Sequence, residues 1–465
     1  MHCDRKRESR VTEDMNNEHP PTNRRKRSPL KIAAYAGFVA GALFLVCVLF
    51  PDPLVNWFIK PQITKALAEA YPAYSIRLSA MNYSVFQNRF GFEGGEVRSA
   101  DSTLSSNVGS FSVSGISWMH LLWGGSLAPG DFVKSVVIAH DVVLTFPPSH
   151  YELRFKRLSV SARDSEVVVE AVKLQPLGDD EQFFARSKFR NNRLRLLVPQ
   201  ARVMGLACLE LLHGKNYRAR SVQIDGASLD ILLNQDKPDS RDTSGLLMPN
   251  EILSSIKGNL QVDRLSIIDG RLQYAERFAV GAKPAVVTFD SMQVLAEGIA
   301  NHGPRGSAVV IHAQTKFVKA GMMKLNITIP VASKECSFRY SGSLSGMNLS
   351  ALNSFLEVSD HVRIKSGVLE KATYEISVVS GLASGTVQGV YRDLTLGAID
   401  KETGSEKGLS NAITSFIANV LTIRKNNVPG SMKIGAVNYL QLRDDPFFQY
   451  DWFALRTGVR DVLGL

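Results

Sequence analysis

Leu265-Ser266-Ile267-Ile268-Asp269-Gly270-Arg271-Leu272-Gln273-Tyr274 sets the reading of this chain. Apolar and polar residues alternate on both sides of Asp269-Gly270, and a period of two places one apolar row on one face of a strand. Asp-Gly also suits a tight turn: glycine takes positive φ freely, and Asp tolerates the left-handed region. The stretch therefore reads as strand, turn, strand. Val222–Ile231 (VQIDGASLDI) and Val362–Leu369 (VRIKSGVL) repeat the unit, and Val136–Phe146 is a weaker copy with His140-Asp141 at its centre. Their shared rhythm, Ile-x-x-Gly-x-Leu in its fullest form, predicts an architecture of repeated hairpins.

Outward from these units the texture persists. Val136-Val137-Ile138, Val142–Phe146, Leu153–Val160, Val167–Leu174 and Leu194–Val198 are short alternating runs between turn residues. Many closely spaced strands predict a large antiparallel sheet. Such a sheet has one apolar face. Either it folds on itself as a sandwich or barrel, or the face stays open to acyl chains. Helical spacing is confined to short pieces: a stripe at Leu54, Phe58, Ile63 and Leu67; Asn250–Lys257 after Pro249; Leu349–Leu356; and Leu409–Leu421. The first either packs on the end of the domain or lies at a bilayer surface. The close, Asp445–Leu465, reads as a terminal helix rich in aromatics.

Upstream of the strands stands IAAYAGFVAGALFLVCVLF, with limits Ile32 and Phe50, uncharged from end to end. At 1.5 Å per residue it covers about 28 Å, the thickness of a bilayer's hydrocarbon core. It lacks the polar face of a buried helix, and Phe50-Pro51-Asp52-Pro53 offers no A-x-A-like cleavage site. It reads as an uncleaved anchor. Arg24, Arg25, Lys26, Arg27 and Lys31 precede it directly, whereas Lys60 and Lys65 are the nearest cations beyond. The positive-inside rule keeps the N-terminus in the cytoplasm and exports the rest.

The expected organisation is a disordered basic tail (1–31), the anchor (32–50), an N-terminal β-rich region (51–235), a linker (236–250), a C-terminal β-rich region (251–400) and a helical C-terminal segment (401–465). The net charge is +10, of which the first 31 residues carry +4 (nine Lys/Arg against five Asp/Glu). The remainder is spread thinly, which excludes a nucleic-acid footprint. Of the four cysteines only Cys208 and Cys336 stand beyond the anchor, and spacing leaves their pairing open.

Catalytic constellations are absent from the sequence. Gly342-Ser343-Leu344-Ser345-Gly346 resembles a nucleophile elbow but has Leu344 at its centre. The chain carries no P-loop, no H-E-x-x-H and no dinucleotide fingerprint. Asp179-Asp180-Glu181 and Asp444-Asp445 read as solvated acidic runs. The expectation is a protein that is not an enzyme, with no catalytic, cofactor-binding or metal-binding residues and no cofactor.

The anchor, the helix after it, the repeated units and the helical close together resemble the AsmA-like family of the Gram-negative envelope, in its domain-of-unknown-function branch. The nearest stretches are Leu260–Arg277, Val362–Leu396 and Leu440–Gly464, the last containing RDDPFFQYDWFALRTGVRDVLG. The resemblance implies a mainly β fold: a single N-terminal transmembrane helix, then a large antiparallel, repeat-built sheet forming an open β-groove, with short amphipathic helices. It implies a single-pass inner-membrane protein with its large domain in the periplasm. The implied role is binding or transferring phospholipid through its acyl chains in outer-membrane and envelope biogenesis. The alternative is a non-enzymatic envelope scaffold that binds other envelope proteins.

Overall fold

The computed structural model describes residues 40–42, 51–116, 129–212, 216–238, 248–304, 306–331, 336–399, 423–442 and 447–465. The chain divides into two units, Met1–Pro51 and Asp52–Leu465. In the first, Ala40, Gly41 and Ala42 are helical and exposed. The rest of Ile32–Phe50, its limits included, and the cluster Arg24, Arg25, Lys26, Arg27 and Lys31 lie outside the described residues. Among the described residues no helix is long and apolar enough to cross a membrane.

The second unit opens on helix: α1 (Asp52–Leu54), a π turn (Val55–Ile59) and α2 (Lys60–Ala70). Short strands come next: β1 (Tyr74–Leu78), β2 (Met81–Ser84), β3 (Arg89–Phe92), β4 (Gly95–Ser99) and β5 (Ser105–Ser114). Then follow β6 (Val136–Phe146), β7 (Tyr151–Ser161), β8 (Glu166–Pro176), α3 (Asp180–Ala185), β9 (Asn192–Met204), α4 (Cys208–Leu212), β10 (Asn216–Asp225) and β11 (Ser228–Asn234). After α5 (Pro249–Ser255) come β12 (Asn259–Arg277), β13 (Ala285–Ala300), β14 (Ala308–Phe317), β15 (Gly321–Pro330) and β16 (Phe338–Asn348). A 3-10 turn (Leu349–Leu352), α6 (Asn353–Ser359), β17 (Val362–Val379), β18 (Leu382–Ala398), β19 (Ile434–Leu440) and α7 (Phe447–Leu463) complete the unit.

All nineteen of these strands join one sheet. From β5 to β9 and from β12 to β19, each strand runs antiparallel to the next. Between these runs, β10 and β11 lie end to end, antiparallel to β9 and parallel to β12. Residues 236–250, expected as a linker, fall in the crossover from β11 to β12, and the sheet pairs directly across it.

The repeated units are not hairpins. Leu265–Tyr274 lies wholly inside β12, Val362–Leu369 inside β17, and Val136–Phe146 is β6 itself. Val222–Ile231 is shared by β10 and β11, which keep one register against β12: Asp225 faces Ile268 and Ser228 faces Arg271. Positive φ does occur where expected, at Asp141 (50°), Gly226 (65°), Asp269 (52°) and Gly367 (145°), yet the chain runs straight on. An extra residue in a strand makes the same local pattern as a turn, because it slips the alternation by one. Here neighbours on both sides pair with both arms, and that pairing holds the chain extended.

These slips line up across strands. Positive φ recurs at Asp141 on β6, Ala171 on β8, Gly226 between β10 and β11, Asp269 on β12 and Ser291 on β13. The registers place these residues at one level, with Lys156 and Pro199 at the same level on β7 and β9. A crease therefore crosses the sheet. The apolar residues change phase there together: Val137 and Ala139 give way to Val142 and Leu144, and Val167 and Val169 to Val172 and Leu174. One face thus stays apolar on both sides.

Over the C-terminal strands this face is covered. Ile329, Phe338, Tyr340, Ile376, Val378, Ala383, Val387 and Val437 are buried, with Met248 and, from α7, Tyr450 and Ala454 packed on them. Residues 401–465 are accordingly not wholly helical, since Ile434–Leu440 is a strand. Gly435 stands at an inward position, leaving Val437 and Tyr439 as the alternating pair, too few to announce a strand. Glycine is required at Gly435 and Gly458 because α7 and β19 touch there: a methyl group on Gly435 would overlap the Gly458 carbonyl oxygen. One on Gly458 would stand 2.7 Å from Val387 Cγ2 and 2.8 Å from Val437 Cγ2. Gly458→Leu should lower stability by about 1–3 kcal/mol or more through overpacking. Gly130→Ala, where the added atom meets open space, should leave it unchanged. Thermal melts of the two variants check this.

Candidate functional site

The face that α5 and α7 cover in one half of the sheet continues over β6–β13. Register alone assembles it. Leu144 pairs with Leu153, Leu153 with Leu174, and Leu174 with Leu196. Leu196 pairs with Leu229, Leu229 with Leu272, Leu272 with Phe289, and Phe289 with Phe317. Six leucines and two phenylalanines thus form one transverse rung. Beyond the crease a second rung runs Ala139, Leu158, Val169, Ala201, Ile224, Ile267, Val294. At about 4.8 Å per strand, eight strands make the first rung roughly 34 Å long and seven make the second roughly 29 Å.

All eight members of the first rung are half-buried. In the second, Ala139 alone is buried. The filled core reaches only the last member of the first rung, Phe317, which packs with Leu349, Leu352 and Leu356 of the 3-10 turn and α6. Among the described residues the other seven join no buried cluster. Toward one strand end the face turns polar. The Tyr274 hydroxyl donates to Glu276 Oε1 at 2.7 Å, and Gln235 Nε2 donates to Glu276 Oε2 at 3.3 Å. Burial raises the pKa of both Tyr274 and Glu276. The opposite face is charged, with pairs such as Arg264–Glu297 (3.1 Å) and Arg271–Asp290 (3.3 Å). Depressions of about 410 and 590 Å³ on it are shallow and lined by polar side chains such as His312, Asn326 and Arg264 together with apolar ones such as Ile268, Leu295 and Met204.

Asp179 and Glu181 are exposed, as expected of an acidic surface run, yet the run is also paired into the fold. Asp179 caps α3, accepting from Gln182 N at 2.8 Å. Asp180 pairs with Arg193 at 3.0 Å and Arg195 at 2.7 Å, and Glu181 with Arg277 at 2.5 Å. Arg193 and Arg277 are 4% and 5% exposed, and Arg277 also stacks over Phe184 at 4.6 Å. Phe183 and Phe184 pack on Leu232 and Ala275, three residues beyond Leu229 and Leu272. Odd spacing puts α3 on the face opposite the leucine rung. The cluster is a clamp for α3, and the sequence signal was an acidic run at a helix start facing Arg-rich strands. Arg277→Ala should cost about 3–5 kcal/mol, because it leaves Asp236 buried and unpaired. Chemical denaturation measures that loss.

Gly342–Gly346 lies inside β16, where Leu344 packs in the core. Cys208 and Cys336 are free thiols, and burial pushes Cys336 up to about 11. Among the described residues no group of three or more His, Cys, Asp or Glu is placed to hold a metal ion. Asp444-Asp445 and Leu409–Leu421 lie outside the described residues. Asp451 on α7 went unremarked in the sequence, among five aromatics. Its Oδ1 and the Tyr340 hydroxyl are both shut off from solvent without a hydrogen-bond partner.

Burial holds the Asp451 carboxyl well above the ordinary carboxylate range. The folded chain therefore keeps a proton that the unfolded chain releases near pH 4, so stability falls as pH rises above that value. Asp451→Asn should raise Tm at pH 7.5, with the gain vanishing below about pH 4. Melts across this range check it.

Compared with protein-family models, the chain matches none, and no curated protein is significantly similar to it. The geometry of the rungs is therefore the ground for any functional reading.

Proposed function

We propose that the chain is a membrane-anchored lipid-binding protein of the cell envelope. Ile32–Phe50 spans the inner membrane with the N-terminus in the cytoplasm, and the sheet stands in the periplasm. Phospholipid acyl chains lie along the leucine rung and its neighbour, and the protein binds or transfers them during outer-membrane biogenesis, without catalysis. The observation that carries this reading is the apolar rung from Leu144 to Phe289, seven half-buried residues that join no buried cluster. A face of this length is unfavourable in water unless something apolar covers it. The resemblance of Leu260–Arg277 and Val362–Leu396 to the AsmA-like pattern supports the same role.

Native mass spectrometry of the chain released in mild detergent tests it. Bound phospholipid is expected, displaced by added lipid and lost when Leu153 or Leu174 is changed to Asp. A lipid-free mass that added lipid leaves unchanged would refute the reading.

A different patch favours a scaffold that binds other envelope proteins. Val379, Leu382, Leu440 and Leu442 are 62%, 43%, 61% and 54% exposed. Val379 pairs with Leu382 and Leu382 with Leu440, so they adjoin at one end of the sheet. Crosslinking from this patch to a stable protein partner, with no lipid recovered, would select this role.

A further inference from the structure

The helix that opens the second unit has two unlike sides. Val55 is buried, and Ile59 and Ile63 pack with it against Met81 and Phe92. Trp57 and Phe58 point away, 75% and 54% exposed, with ring centroids 4.7 Å apart. The sequence stripe put Phe58 on one face with Leu54, Ile63 and Leu67; with the π turn at Val55–Ile59, Ile63 packs inward while Phe58 stays outside. A third exposed ring belongs to the β2–β3 turn, where Phe86 is 88% exposed beside Val85. Large aromatics presented this openly to water are unusual in a folded domain.

Hydrogen bonds tie the two features together. Tyr83 N donates to Asp52 Oδ1 at 2.8 Å, and Met81 N donates to Asn56 Oδ1 at 2.9 Å. Phe86 follows Tyr83 by three residues, so it stands within about 10 Å of Asp52's contact. Trp57 lies five helical residues past Asp52, about 7.5 Å along the axis. Asp52 is itself two residues from Phe50, the end of the uncharged stretch. The chain's own connectivity thus holds all three rings beside the point where that stretch ends. The polar zone of a bilayer is several ångströms deep on each side, and it is where Trp and its neighbours settle. Lys60 and Arg89 stand next to these residues in sequence and bring cations suited to anionic headgroups.

We infer that Trp57, Phe58 and Phe86 form a foot that enters the interfacial zone of the bilayer spanned by Ile32–Phe50. This rests on the anchor reading above. The foot fixes one end of the sheet against the membrane surface, giving the domain two attachments instead of one flexible tether.

The full chain, reconstituted in phosphatidylethanolamine–phosphatidylglycerol vesicles, supplies the test. Tryptophan emission is compared between this chain and its Trp57→Phe variant, which alters one exposed ring. With brominated acyl chains in the lipid, the Trp57 component, taken as the difference, should fall at least twofold, and aqueous iodide should leave it nearly unchanged. Quenching by iodide alone would show Trp57 in water and overturn the foot. Protection from both quenchers would show a protein covering it and also overturn the foot. Alkaline carbonate separates the two levels: a chain that washes off the vesicles refutes the anchor and the foot together. A chain that stays while Trp57 escapes the brominated lipid refutes the foot alone.

Discussion

An open sheet must dispose of two rows of unpaired backbone amides, and this requirement governs both ends of the molecule. At the first edge, Asn56 brackets Met81 by accepting from its N–H and donating to its carbonyl, while Asp52 accepts from Tyr83 N. At the last edge, Asp461 accepts from Ala436 N at 2.9 Å and Thr457 Oγ1 from Asn438 N at 3.3 Å. Side chains of the opening helix and of α7 thus finish hydrogen bonding that no strand supplies. A bare edge is a template for another chain, and covering it with a helix is one of the ways proteins prevent this. The close contact of Gly435 with Gly458 serves the same end, since α7 must lie near β19 for Thr457 and Asp461 to reach its amides.

With these edge amides capped, the apolar face becomes the distinguishing feature. Its two halves are treated differently by the same chain. Over β14–β19 the helices press Met248, Tyr450 and Ala454 onto it and produce a closely packed core. That packing leaves Asp451 Oδ1 and the Tyr340 hydroxyl buried without a hydrogen-bond partner, a cost a purely structural core avoids. Over β6–β13 the leucine rung has neighbours beside it and, among the described residues, joins no buried cluster, while its last member on β14, Phe317, enters the core of the 3-10 turn and α6. The crease keeps the face continuous, because each strand slips its alternation at the same level instead of turning its apolar row to the charged side.

Much of this was legible in the residues. Alternation announced a large, mostly antiparallel sheet, and Pro249, Leu349–Leu356 and the aromatic close each marked a short helix that the structure contains. The hairpins were misread for a physical reason. Ile267 and Gly270 are three apart whether the chain turns or bulges, and only pairing with β10 and β13 decides between them. The leucine rung was invisible for a related reason. Each strand contributes one member, and the line appears only when every register is known. The pairing of Asp180 and Glu181 was hidden because it needs the fold: Arg193 comes from the following strand, β9, and Arg277 from β12, 96 residues beyond Glu181.

Consider last the order in which strands sit beside one another. From β5 onward each strand reaches the sheet after its neighbour, with the crossover from Asn234 to Asn259 the longest detour between paired strands on the way to β18. Contacts are therefore mostly between successive stretches of chain, and the sheet can grow by accretion as residues become available from the N-terminal side. Growth of this kind needs a terminator. Until α7 emerges, the newest strand offers its free amides to any passing chain, and the final helix is what converts an extendable lattice into a finished particle.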